Sequence, residues 1–259
     1  MKNLKLAAVC LSCLTMTGCS ALNFSVEGLI NAPKLTSEQS EIHQALIESV
    51  GSNITLKYPK NGEYRSAYVI ANIDDEPTDE AMVFYEYTSN GSEEDGLRVN
   101  ILDKDEDGKW YSVKELAGAG TDIDQVIISP MGSNNQTDVF VGYQNLTNDE
   151  KTMEIYSYTD GDFKRVALDT YSVLEPLDIN NDGYIELITI QRSTNNDTGA
   201  VTAKASMLNM KNNEITRGEN VDMCDNVTSY VSSKTGMLDS GRRAIFIDGL
   251  TADGKLQTE

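Results

Sequence analysis

The sequence predicts a mostly β fold: antiparallel hairpin repeats behind one N-terminal helix, arranged as a partial or degenerate β-propeller. Three observations predict it. Beyond residue 51 the chain breaks into short alternating or apolar runs separated by Gly, Asn and Asp turns. Acidic bends closing on Glu80, Asp138 and Glu186 each precede an apolar run. They recur about every 50 residues, the length of a propeller blade. The one convincing helical periodicity lies ahead of them, over 37–50. A β-sandwich with similar hairpins is the competing arrangement.

The chain opens with Lys2 and Lys5, an apolar run over 6–16, and Gly18-Cys19-Ser20. A positive start, a short apolar stretch and small residues before a cut are the layout of a secretory signal. The run falls well short of the roughly 20 residues that span a bilayer as a helix. Its end resembles the lipobox of bacterial lipoproteins, with Met16 where that family usually has leucine. The resemblance implies cleavage before Cys19 and acylation of its thiol and new amino end. Residues 1–18 are then a lipoprotein signal peptide and 19–35 a polar tether. The protein is expected on the outer face of the bacterial cell membrane, held through lipid at Cys19. An ordinary signal peptide is the alternative.

The helix is expected over 37–50 within a segment 36–51. Thr36 and Gln39 form a capping-box pattern, and Glu38 and Glu41 suit the positive helix start. Ile42, Ala45, Leu46 and Val50 share one face, and Gly51 stops the helix. The repeat domain then occupies 52–259. Its expected strands are 54–58, 64–73, 81–87, 97–102 and 110–113, then 139–143, 153–158 and 163–168. Further runs lie at 187–190, 204–210, 214–217 and 244–247. Lys60-Asn61-Gly62, 103–108, 160–162 and 211–213 supply the turns. A fourth acidic bend, 247–255, lies near the end, with no further apolar strand before Glu259. A C-terminally shortened array is the expectation.

Composition narrows the partners. The 259 residues carry 21 basic and 41 acidic side chains, a formal charge of −20. Losing the leader removes two lysines and no acid, deepening that balance. Nucleic acid is excluded as a partner class, because phosphate contacts need clustered Lys and Arg. Cys10 and Cys13 leave with the leader and Cys19 is lipidated, so Cys224 has no partner for an intramolecular disulfide. Two flanking aspartates, Asp222 and Asp225, disfavour its thiolate.

Residues 178–186 read Asp-Ile-Asn-Asn-Asp-Gly-Tyr-Ile-Glu. They resemble the calcium loop of the FG-GAP and VCBS repeat families, whose propeller blades carry such loops. The resemblance implies structural Ca²⁺ held by side-chain oxygens of Asp178, Asn180 and Asp182, the Tyr184 carbonyl and Glu186. Calcium accepts this because it takes six to eight oxygens at flexible distances. The loop is no EF-hand, since Thr189 stands in the twelfth position. A metal-free turn built by the same Asx side chains is the simpler alternative. The bend 72–80 has Pro77 where glycine is wanted, and the one near Pro130 lacks acids. Asp103, Asp105 and Asp107 read as a solvated hairpin tip.

Catalysis is poorly supported. The one histidine, His43, falls on the helix, which leaves serine or cysteine nucleophiles without a base near the β region. No catalytic residue is assigned. The expected function is a lipid-anchored extracellular binding or scaffold module for a protein, peptide or glycan. A cell-surface polysaccharide hydrolase or lyase using a carboxylate pair is the alternative.

Overall fold

Alternation along the strands decides the architecture. In the computed structural model, residues 35–88, 96–131, 136–145, 150–194, 197, 201–211, 214–222 and 227–258 are described. The leader, Cys19 and Cys224 lie outside them. Helix α1 (Ser37–Val50) occurs where the periodicity predicts it. Ile42 and Leu46 are fully buried and Gly51 ends the helix at φ 86°. The Gly51 N–H donates to the Ile47 carbonyl at 2.9 Å.

Antiparallel sheets follow. In the first, β1 (Ile54–Leu56) and β2 (Tyr68–Ala71) share one edge of β3 (Glu80–Tyr87). Then come β4 (Leu97–Lys104) and β5 (Trp110–Ala117). The second runs β6 (Asp122–Ser129), β7 (Asp138–Gln144), β8 (Lys151–Thr159), β9 (Asp162–Tyr171). The third runs β10 (Val173–Leu177), β11 (Glu186–Thr194), β12 (Val201–Lys211). The far edge of β12 is shared by β13 (Glu214–Arg217) and β14 (Val221–Asp222). The fourth has β15 (Val227–Met237), β16 (Arg243–Thr251) and β17 (Leu256–Thr258). The first three are thus four-strand-wide meanders of one design.

The first three sheets pack face to face in chain order. On β3, Ala81, Val83 and Tyr85 point to α1, while Met82 and Phe84 point to the second sheet. On β7, Val139, Val141 and Tyr143 meet the first sheet, and Phe140 meets the third through Leu174, Leu187 and Leu208. A strand buried on both faces needs apolar residues at successive positions, hence the runs at 81–85 and 139–141. The outer strand β5 instead alternates half-buried and exposed positions after the buried Trp110. Residues Gln39–Glu259 hold all of these layers in one unit, apart from Met1–Glu38.

Three expectations change. The strand expected over 64–73 shrinks to β2, and the chain just ahead of it, at 60–61, bonds to the neighbouring sheet. Lys60 N–H donates to the Ile123 carbonyl at 3.1 Å and Asn61 N–H to that of Asp124 at 2.7 Å. Strands β6, β10 and β15 carry mixed sequences that local patterning did not single out. The bend at 247–255 does not match the other three. It is the tail of β16 and its hairpin to β17, whereas the loop leading into the fourth sheet's second strand is 238–242.

Candidate functional site

The three recurring acids occupy one structural position. Glu80, Asp138 and Glu186 each begin the strand that lies second from one edge of its sheet. Each accepts the backbone N–H of the residue seven places earlier. Ile73 donates to Glu80 Oε2 at 2.8 Å, Met131 to Asp138 Oδ2 at 3.0 Å, and Ile179 to Glu186 Oε2 at 2.9 Å. The carboxylate latches the loop leading into that strand and pairs a backbone donor that would otherwise be orphaned.

The expected calcium loop is shaped by its own oxygens. Asp178 accepts the N–H of Asp182 and of Gly183, each at 3.0 Å. Asn180 Oδ1 accepts Asp182 N–H and Asp182 Oδ1 accepts Tyr184 N–H, both at 2.9 Å. Asn181 and Gly183 take positive φ (65° and 91°) to close the bend. Glu186, expected to close a metal shell, instead holds Ile179 N–H and, through Oε1, the Asn180 amide at 3.0 Å. Among the described residues no three His, Cys, Asp or Glu side chains are grouped to hold a metal ion. The Arg243 guanidinium also reaches this loop, donating to the Asp178 carbonyl at 2.8 Å. Asn180 and Asn181 border a cleft of about 760 Å³ toward the fourth sheet, rimmed by Arg242 and Arg243.

The more acidic site lies between the first and second sheets, where loop 72–79 and the hairpin tip 160–161 meet Asp103 of β4 and Tyr111 of β5. A cavity of about 190 Å³ opens there. Loop 72–79 gives it Asp74 and Glu76, β3 gives Glu80, and β4 gives Asp103. A wider cleft of about 610 Å³ shares Asp74, Glu76 and Tyr158 and adds Asp75 and Asp160. The Asn72 amide shapes the loop, donating to the Glu76 and Thr78 carbonyls at 2.5 and 3.0 Å. Asp74 Oδ1 accepts Glu76 N–H at 2.7 Å.

Crowded carboxylates in a half-dry site hold protons more tightly. Burial pushes the Glu80 carboxyl up to about 7, against the lowering pull of Ile73 N–H, with Asp74 and Asp103 adding to the rise. Asp74 is raised by burial, with Asp103 and Asp75 reinforcing it. Tyr158 and Tyr111 are raised by burial and then by these same acids. The Lys114 ammonium borders the cavity but donates to Asp162 Oδ1 at 2.6 Å and to the Phe163 carbonyl at 2.7 Å.

In the sequence, Glu80 stands at the end of a bend and Asp103 in a solvated hairpin tip. Only the fold brings them to one cavity. The available signal was an acid directly before an apolar strand with another across the next hairpin, but pairing them requires the register. His43 is half-buried and shares a 2.8 Å hydrogen bond with the Tyr68 hydroxyl. Tyr85, Tyr143 and Tyr156 are core residues, while Tyr158 faces the cavity.

No protein-family model matches the chain, and no curated protein is significantly similar to it.

Proposed function

We propose that this chain is a non-catalytic binding module of propeller-like build, held on the outer face of the cell membrane by lipid at Cys19. It binds a protein, peptide or glycan ligand through the loop end of its stacked sheets. The observation that supports this reading most is the repeated unit: three antiparallel meanders, each latched by a carboxylate at the start of the strand second from one edge. Clefts open beside two of the latched loops, 72–79 and 178–185. Repeat stacking with variable loops on one face is how such arrays present ligand surfaces. The test is twofold. Palmitate labelling and membrane fractionation of the expressed chain should show a lipidated, membrane-bound species lost in Cys19→Ala. Incubation with neutral and acidic polysaccharides should release no reducing or unsaturated ends.

Calcium belongs to this reading as a stabiliser of loop 178–186, through Asp178, Asn180, Asp182, the Tyr184 carbonyl and Glu186. Each carboxylate oxygen that accepts one N–H keeps a second lone pair, so the loop's bonds and a cation are compatible at the aspartates. Glu186 would have to turn from Ile179. Melting with excess Ca²⁺ and with chelator checks it: a rise in Tm with the ion, abolished by Asp178→Ala, is the expected outcome. Equal melts remove the metal.

A second reading has one specific observation in its favour. Glu80, with its proton held to near neutrality, shares a cavity with Asp74 and Asp103. A carboxyl raised beside other acids suits general-acid work on a glycosidic bond. Polysaccharide cleavage lost in Asp103→Asn would establish that reading in place of the first.

A further inference from the structure

The three latches differ at their second oxygen. In the second sheet Asp138 Oδ1 accepts the Ser157 hydroxyl, and Ser157 is its register partner on β8. In the third sheet Glu186 Oε1 accepts the Asn180 amide at 3.0 Å. In the first sheet Glu80 Oε1 has no hydrogen-bond partner, although the residue is only 3% exposed. The register explains the orphan. Ala81 pairs with Leu102, so the next pair places Asp103 opposite Glu80. An ionised carboxylate has no proton to donate, and like charges facing across a ladder repel. An acid therefore stands where the sibling sheet carries a hydroxyl donor. A buried acceptor left unpaired is costly, and here it borders a cavity.

We propose that the cavity between the first and second sheets binds a primary alkylammonium group, with Glu80 Oε1 as its buried acceptor and Asp74 and Asp103 beside it. The inference rests on the reading of this end as the ligand-binding face and names the chemistry of one ligand group. The volume, about 190 Å³, is several times a water's share of roughly 30 Å³. Ile73, Ile101, Val113 and Phe163 supply an apolar wall for a methylene stem. A guanidinium suits a bidentate carboxylate, but Glu80 Oε2 already holds Ile73 N–H, leaving a single oxygen. Calcium needs six or more oxygens converging at about 2.3–2.6 Å. An ammonium has three donors that reach separate acceptors at ordinary hydrogen-bond distance. The groups facing Glu80 are acidic from three sides: Asp74 and Glu76 on the loop, Asp103 on β4, and Asp162 at the start of β9. The one cation among them, Lys114 on β5, is taken by Asp162. Tyr111 and Tyr158, both raised, remain neutral phenols around pH 7.

Calorimetric titration of the full chain tests this with n-butylammonium, N-acetyl-lysine methylamide and 1,5-diaminopentane, against tetramethylammonium and Ca²⁺ at matched ionic strength. Saturable binding of n-butylammonium is expected, at least tenfold tighter than tetramethylammonium, which has no N–H. Binding should tighten roughly tenfold from pH 6 to pH 8 as Glu80 ionises. Asp103→Ser, which reproduces the Asp138–Ser157 pair, should weaken it at least tenfold without lowering Tm. Glu80→Gln, which keeps an acceptor for Ile73 N–H, should weaken it similarly and serves if the first variant misfolds. Tighter binding of the lysine amide than of the diamine identifies a lysine side chain as the source; the reverse identifies a free diamine. Equal binding of tetramethylammonium, or Ca²⁺ binding in place of the amines, overturns the proposal, as does no saturable binding. Those failures leave the anchoring and polysaccharide results standing. Polysaccharide turnover alongside intact amine binding would sink the non-catalytic reading alone.

Discussion

Two single positions carry the sharpest consequences. At Gly142 on β7, a Cβ would fall on the Tyr171 hydroxyl. That hydroxyl donates to Asp124 Oδ2 at 2.7 Å, while Lys151 and the Asn61 amide donate to Oδ1, each at 2.7 Å. Asp124 is 1% exposed, so these donors supply the hydrogen bonds that water does not. Gly142→Ala should cost about 1–3 kcal/mol by overpacking and by displacing one donor. A lowered Tm by circular dichroism is the check. Glu80 sets a pH dependence. Its folded carboxyl titrates at about 7, above the ordinary value of 4.5. The folded state therefore binds the extra proton between those values. The stabilisation is complete below about pH 4.5 and is lost as pH rises through about 7. Glu80→Gln should remove this slope, gaining on the wild type by on the order of 1–3 kcal/mol at pH 8 and little at pH 4.5. Denaturant melts at the two pH values read it directly. Neither residue's importance is legible locally. Gly142 sits in an ordinary apolar run, and its partner lies on another strand.

At the scale of elements, the repeated feature is the loop latch. The sequence shows an acid before three apolar strands, those that become β3, β7 and β11, while the fourth bend it suggests, 247–255, does not match them. The role of those acids is not visible there. A carboxylate closing a bend looks the same whether it meets a metal or a backbone N–H, because only the loop's three-dimensional path brings residue i−7 into reach. Asp138 offers the cleanest test, since both of its oxygens are engaged and burial raises its carboxyl. Asp138→Ala should destabilise by about 1–3 kcal/mol. Ser157→Ala should cost less, and the double variant should show coupling rather than additivity. Additive effects would mean that the two side chains act apart. Helix α1 was legible throughout because its signals are local: a cap, a stripe at three and four, and a glycine stop. Its stripe docks on Ala81, Val83 and Tyr85. Leu46→Ala, at a fully buried position, should cost about 2–5 kcal/mol.

For the whole molecule, stacking in chain order predicts partial independence of the layers. Among the described residues, the core between the second and third sheets contains none of the fourth. The fourth touches the third through polar contacts such as Ser233 to Glu175 and Arg243 to the Asp178 carbonyl. A chain ending at residue 222 should therefore keep the first three sheets folded. Trp110, the sole tryptophan, is 3% exposed beneath the Lys104 ammonium, which sits 4.4 Å from its ring. Its emission should stay that of a buried indole, with a melting transition within a few degrees of the full chain's. Loss of that emission would show that the layers fold only together. Nearest-neighbour stability of this kind is expected where each repeat contacts only the next.

The sequence by itself determined the helix, the β character, the antiparallel hairpins and the recurrence of the latched bends. These follow from spacing along the chain: period 3.6 for one segment, period 2 or continuous apolar runs for the strands, and turn residues between. Tertiary structure alone decided which acids meet. Strand register set Asp103 against Glu80 and Ser157 against Asp138, and the stacking of sheets turned one seam into an acidic cavity. Charge and burial at such a site depend on residues distant in the chain. No local pattern encodes that pairing.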